Sequence, residues 1–224
     1  MRKILIMMLL FITGLCMGAE IIIKPDFNFG VISPSEINLD LRYSNSLSRL
    51  YVIASFSLDP QTLPKTTYHS LFLDNSMHLE QICISGKFCG SIIANNLVPQ
   101  HFVPDFPYPA LLDSTSTAIC YSFNLAPLKN SKEPIDFRMV YWLDMPALKA
   151  DTGEPSTGLN TDTLWFPRNL LTPSTLNIRI STTDRYRVRF GDILNYTDAE
   201  GIRTHEGSYA DTPGKYFELK LMRS

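Results

Sequence analysis

The sequence predicts an all-β protein: an antiparallel two-sheet β-sandwich following an N-terminal signal peptide. Three observations predict it. Apolar residues recur at every second position in segment after segment. Clusters of proline, glycine and small polar residues separate those segments. No stretch beyond residue 19 carries a sustained helical stripe.

The leader comes first. Arg2 and Lys3 form a short positive start, Ile4 to Ile12 an apolar run, and Thr13 to Ala19 are mostly small or apolar. That three-part layout is the pattern of a secretory signal peptide. The run falls short of the ~20 apolar residues that span a bilayer. A cut after Gly18 or Ala19 fits, leaving residues 20–224 as a single domain with no integral membrane segment. Losing Arg2 and Lys3 takes the net charge from -2 to -4. A lipid anchor on Cys16 needs a small residue before it, and Leu15 stands there. The brief leader has a bacterial look, so the expected location is the periplasm or the cell surface.

The strands follow in order. Alternation is clear over 36–43, 50–58, 119–125, 135–143, 175–181, 186–190 and 217–221. Each of these segments sends one face into a core and the other toward water. Two more strands are expected at 68–73 and 77–85. In the second, Met77 and Leu79 point one way and Ile82 and Ile84 the other, so a bulge after Glu80 is expected. Residues 98–110 hold Pro99, Pro104, Pro107 and Pro109, which rules out a central strand. Residues 144–162 read as a second long loop.

Composition narrows the function classes. A hydrophobic content of 45% supports a sizeable core, and 19% charged residues argues against long disordered tails. The slightly negative balance leaves no electrostatic footprint for nucleic acid. Beyond the leader the cysteines are Cys83, Cys89 and Cys120. A Cys83–Cys89 or a Cys89–Cys120 bridge fits an oxidising compartment, with one thiol left over.

No catalytic centre, metal site or cofactor site emerges from the residues, and the protein is read as a non-enzyme. His205-Glu206 starts like a zinc-peptidase motif, but Tyr209 stands where the second histidine belongs, and Gly207 discourages the helix. A polar loop is expected there. Asp151-Thr152-Gly153 matches the aspartic-protease triplet, yet Lys149, Glu154 and Pro155 surround it, and a plain turn explains it. His69, His78 and His101 are scattered, although His69 and His78 could oppose each other across a hairpin. No serine sits in a nucleophile elbow and no glycine-rich phosphate loop is present.

Aromatic loops are the better binding candidates. Phe106 and Tyr108 interleave with prolines, and Trp165-Phe166-Pro167-Arg168 follows the second loop. Exposed aromatic and arginine side chains are favoured at contact surfaces, so Phe106, Tyr108, Trp165 and Arg168 form the candidate binding set. The competing reading makes them caps on the ends of the core. Trp142 falls on the polar face of its strand, either beneath a covering loop or as an exposed anchor.

Three stretches together resemble a known family. Phe72 to Ile82 followed by Gly86-Lys87 is similar to a strand pair closed by a Gly-Lys turn. Ile135 to Tyr141 is similar to a strand ending in tyrosine. Leu164-Trp165-Phe166-Pro167-Arg168-Asn169, with Ser174 to Ile180 and Tyr186 to Gly191 behind it, is similar to a Trp-aromatic-Pro turn leading into two strands. In this order they resemble the N-terminal β-sandwich domain of the M1 zinc aminopeptidases. In that family the zinc ligands and catalytic glutamate lie downstream, so no residue here inherits either role. The resemblance implies a fold and a packing role against a peptidase-like catalytic domain. An envelope protein is a second class of partner. An adhesin-like ligand-binding module and the detached half of a metallopeptidase are the alternative readings.

Overall fold

The computed structural model describes residues 29–63, 65–66, 68–88, 93–96, 118–145, 156–160, 164–169, 172–190, 192–212 and 218–223. The signal-peptide region, Cys89, the proline-rich stretch and Asp151-Thr152-Gly153 lie outside these residues. Strands are numbered in chain order.

The largest sheet has eight strands. Across it run β14 (Asn195–Ala199), β15 (Ile202–Asp211), β11 (Ser174–Thr183), β2 (Glu36–Ser44), β3 (Arg49–Leu58), β9 (Ile135–Asp144), β5 (His78–Ile84) and β6 (Lys87–Phe88). One four-stranded sheet holds β1 (Phe29–Val31), β4 (Tyr68–Asp74), β8 (Ala118–Asn124) and β7 (Ile93–Asn96). The other holds β10 (Ser156–Asn160), β16 (Glu218–Arg223), β12 (Tyr186–Phe190) and β13 (Asp192–Ile193). Among the described residues there is no α-helix, only a 3-10 turn at Ala126–Leu128.

The all-β class and the layered arrangement agree with the sequence. Two details differ. The sheets are mixed: β2 runs parallel to β11, and β1 parallel to β4. Alternation reports which face is buried but not which strand lies alongside. The layers also comprise three sheets, because two small ones share one face of the large one.

That shared face is the core. Ile37, Leu39, Leu41 and Tyr43 of β2 point inward, with Leu50, Val52, Ala54, Phe56 and Leu58 of β3 and the odd-numbered residues from Ile135 to Leu143 of β9. Phe137 of β9 stacks on Phe56 at 4.9 Å and meets Phe123 of β8 edge-on at 5.5 Å. On the other half of the sheet, Tyr43 meets Tyr186 of β12 at 5.7 Å, and Phe190 meets Tyr209 of β15 at 5.0 Å. Each small sheet thus roofs its own part of a continuous apolar layer.

Local irregularities fall where the sequence breaks its pattern. Leu79 faces Tyr141 and Gln81 faces Val140, so Glu80 is the extra residue of the expected bulge. The β14–β15 hairpin closes through Glu200 and Gly201, both at positive φ (53° and 76°), the two-residue turn that suits strand twist. The expected loop over 144–162 contains β10, which pairs with β16.

Phe137 joins two layers through aromatic contacts on both sides. Phe137→Ala is expected to cost about 3–5 kcal/mol of unfolding free energy. Asp136→Ala, one residue away on the outer face, should stay within about 1 kcal/mol, with only its hydrogen bond from Ser57 lost. Denaturant titration of the two variants checks the contrast.

Candidate functional site

The Trp-Phe-Pro-Arg segment is interior. Trp165 and Phe166 have no exposed surface, and Arg168 retains 4%. The backbone carbonyl of Leu164 accepts from the amide of Asp74 at the end of β4. The Trp165 carbonyl accepts from the Tyr141 hydroxyl on β9 at 2.9 Å. Burial pushes the Tyr141 phenol well above its ordinary range, which keeps it a donor. Pro167 fixes a tight turn in which the Arg168 amide donates to the Phe166 carbonyl at 2.7 Å. The Asn169 side chain then donates to the Pro34 carbonyl just ahead of β2.

Arg168 completes the set. Its Nε donates to both oxygens of Asp211 at the end of β15, at 2.9 and 2.8 Å, and its Nη2 joins them. Both side chains are buried. Burial pushes the Asp211 carboxyl up, and the guanidinium pulls against it. Removing one partner strands the other charge in a dry interior. Arg168→Ala is therefore expected to cost about 3–5 kcal/mol, while Arg168→Met with Asp211→Leu together should cost clearly less. Equal losses in the single and double variants, read by chemical unfolding, would contradict this role.

Trp165 and Arg168 are therefore brought together as parts of a buried corner that ties β4, β9 and β15, not as a surface patch. Phe106 and Tyr108 lie outside the described residues. Of the histidines, His69 is buried on β4 and His78 is exposed on β5, in different sheets, so they do not oppose each other. Cys83 is a free thiol, and the expected bridges through Cys89 lie outside the described residues.

The outer face of the large sheet is the open surface. Register aligns its side chains in rows. One row runs His78, Trp142, Tyr51, Arg42, Ser181 and Thr204 across six strands. The next pairs Ile53 with Val140, beside Asp40 and Gln81. Trp142 is half-buried, with the His78 ring stacked on it at 3.7 Å and the Arg49 guanidinium 3.7 Å from its ring centre. Side chains of its own sheet cover it, an arrangement neither expected reading anticipated. A polar ladder sits lower on the face: Asn177 donates to Glu36 at 2.7 Å and to Asn38 at 2.9 Å, and accepts from Ser208 at 2.8 Å.

Two shallow grooves cross this face. One, of about 560 Å³, lies over Arg42, Tyr51, Ile53 and Val140. The other, of about 770 Å³, lies over Asn38, Arg138, Arg179 and Ser208. Neither gathers a nucleophile beside a base. Among the described residues, no three of His, Cys, Asp and Glu come together in a metal-binding group. No helix among them is long and apolar enough to cross a membrane. What the face offers chemically is apolar, aromatic, hydrogen-bonding and charged contact, the last from Asp40, Arg42, Arg138, Arg179 and Glu206.

The sequence matches no family model and no curated protein. Solved structures do match. Native yeast LTA4 hydrolase aligns with a TM-score of 0.52 at 14% identity, over 84% of this chain and 28% of that one. An M1 zinc metallopeptidase from Deinococcus radiodurans aligns with a TM-score of 0.50 at 10% identity, over 85% of this chain and 42% of that one. The fold is that of part of an M1 zinc metallopeptidase. The chain spans less than half the length of either protein, in keeping with the N-terminal-domain resemblance. At these identities it is the M1-type fold that carries over.

His205 and Glu206 lie on a strand of that fold rather than in the expected loop. They point to opposite sides, His205 buried and Glu206 exposed. His205 Nε2 lies 3.4 Å from the Tyr186 carbonyl, beside the Tyr196 ring, with Arg203 and Asp198 nearby. Burial pushes the imidazole below its ordinary value, with Arg203 adding to the shift and the carbonyl opposing it. The unfolded chain binds a proton near pH 6.5 and the folded one resists it, so stability falls as pH drops below about 6.5. His205→Gln should flatten that part of the stability–pH curve; an unchanged curve counts against a neutral buried imidazole.

Proposed function

We propose that this chain is an exported, non-catalytic β-sandwich module that packs against a peptidase-like catalytic domain. The observation that carries the reading is coverage. The M1-type fold accounts for 84–85% of this chain while filling only 28–42% of the two matched structures. A fold that occupies part of a larger enzyme is suited to lie against the remainder. The one-sided burial of the large sheet supports this role, since the outer face is left for contact.

The adhesin-like alternative drew on Trp165 as an anchor, and that side chain has no exposed surface. It therefore has less support than the packing role.

Two measurements test the proposal. Purified protein should leave aminoacyl reporter substrates uncleaved, with or without added zinc. Hydrolysis that a chelator abolishes would make the chain a peptidase in its own right. A tagged chain recovered from the cell envelope should bring down a polypeptide carrying the His-Glu-x-x-His pattern.

A further inference from the structure

We infer that β14 is a pairing edge for a second copy of this chain, joining two eight-stranded sheets across a two-fold axis. The inference is independent of the proposed packing role.

β14 is the outermost strand of the large sheet, and all five of its residues are exposed. Among the described residues, none pairs with the side of the strand that faces away from β15. An open edge presents unpaired backbone donors and acceptors, and natural edges are normally blunted by lysine, proline, a bulge or an inward charge. The first three are absent from β14, and the inward charge it does carry, Asp198, is neutralised by its partner on β15. The strand reads Asn-Tyr-Thr-Asp-Ala, and its register with β15 is unbroken from Asn195 to Ala199. Its one charge, Asp198, is held by Arg203, whose Nε and Nη2 donate to the two carboxylate oxygens at 2.6 and 2.9 Å. Tyr196 and Ile202, at 43% and 52% exposure, place two large apolar side chains on this same hairpin.

The occupant follows from the strand's own symmetry. An antiparallel copy that overlaps all five residues centres on Thr197. Thr197 then faces Thr197 of the second copy, a favourable cross-strand pair, and Asn195 faces Ala199. Tyr196 comes beside Asp198 of the second copy and so beside the Arg203 that holds it. Tyr196 already makes that kind of contact at home, with the Arg203 guanidinium 4.3 Å from its ring centre. No like charges are brought together. Five paired residues bury less than the ~1,000 Å² expected of a stable interface, so the dimer should be weak and concentration-dependent.

Sedimentation of the purified chain at rising concentration tests this, with Thr197→Lys beside it. The lysine is exposed and should leave thermal unfolding unchanged, but it sets two ammonium groups face to face on the axis. Thr197→Cys adds a positive test: facing Cβ atoms about 4.5–5.5 Å apart lie just above the ~3.5–4.5 Å span of a disulfide, so a small local adjustment lets one form on mild oxidation. The expected result is a dimer that grows with concentration, is lost in Thr197→Lys, and is trapped covalently in Thr197→Cys but not in the parent chain. A monomer at every concentration with no trapping overturns the inference. So does a dimer that Thr197→Lys leaves intact.

Discussion

The large sheet buries one face only, and the rest of the structure depends on that asymmetry. Eight strands present two broad surfaces, and both small sheets sit on the same one. On β2, β3, β9 and β11 the side chains therefore alternate between buried positions and exposed or half-exposed ones. A one-residue slip of any central strand would turn its whole apolar set outward, so the register is tightly specified. The price is an outer face whose central pairs, Ile53 with Val140 and Tyr51 with Trp142, are apolar or aromatic and only partly covered.

Two small sheets sharing one face need something to fix them to it. For the β1–β4–β8–β7 sheet the Leu164–Asn169 corner does this with a set of directional contacts. A backbone hydrogen bond reaches β4, a buried tyrosine hydroxyl reaches in from β9, and an ion pair reaches β15. A buried ion pair adds little net stability compared with apolar groups of the same shape, because desolvation offsets the attraction. Its geometry is what matters here. A guanidinium meeting both oxygens of one carboxylate admits a narrow range of positions, which sets where the corner lies against the sheet edge.

Much of this was legible in the sequence, and the exceptions have physical causes. Strands with aliphatic inner faces announce themselves, and even the bulge at Glu80 shows as a phase shift between Leu79 and Ile82. β15 does not. Its inward positions are Arg203, His205, Gly207, Tyr209 and Asp211, which read as a polar loop although they alternate as a strand should. A β-carbon at Gly207 would come within 2.8 Å of a Leu194 methyl and 2.9 Å of the Tyr209 hydroxyl, so those side-chain ends would have to shift. β14 is short, polar and fully exposed, so it leaves no hydrophobic signature at all. Parallel pairing of β2 with β11 joins segments more than a hundred residues apart, beyond the reach of any local pattern. The candidate site misled for a related reason. Tryptophan, phenylalanine and arginine mark contact surfaces and tight interior corners alike, and residue type cannot separate the two. Burial can, and it places Trp165 and Arg168 inside.

The protein's two tryptophans give this account a direct spectroscopic test, since one lies in the corner and the other on the outer face. Trp142→Phe leaves Trp165 as the sole indole. Its emission should be shifted to the blue and resist acrylamide quenching until the protein unfolds. Red-shifted emission that acrylamide quenches freely in the folded protein would mean that the corner is open, and that the one-sided core described here is wrong.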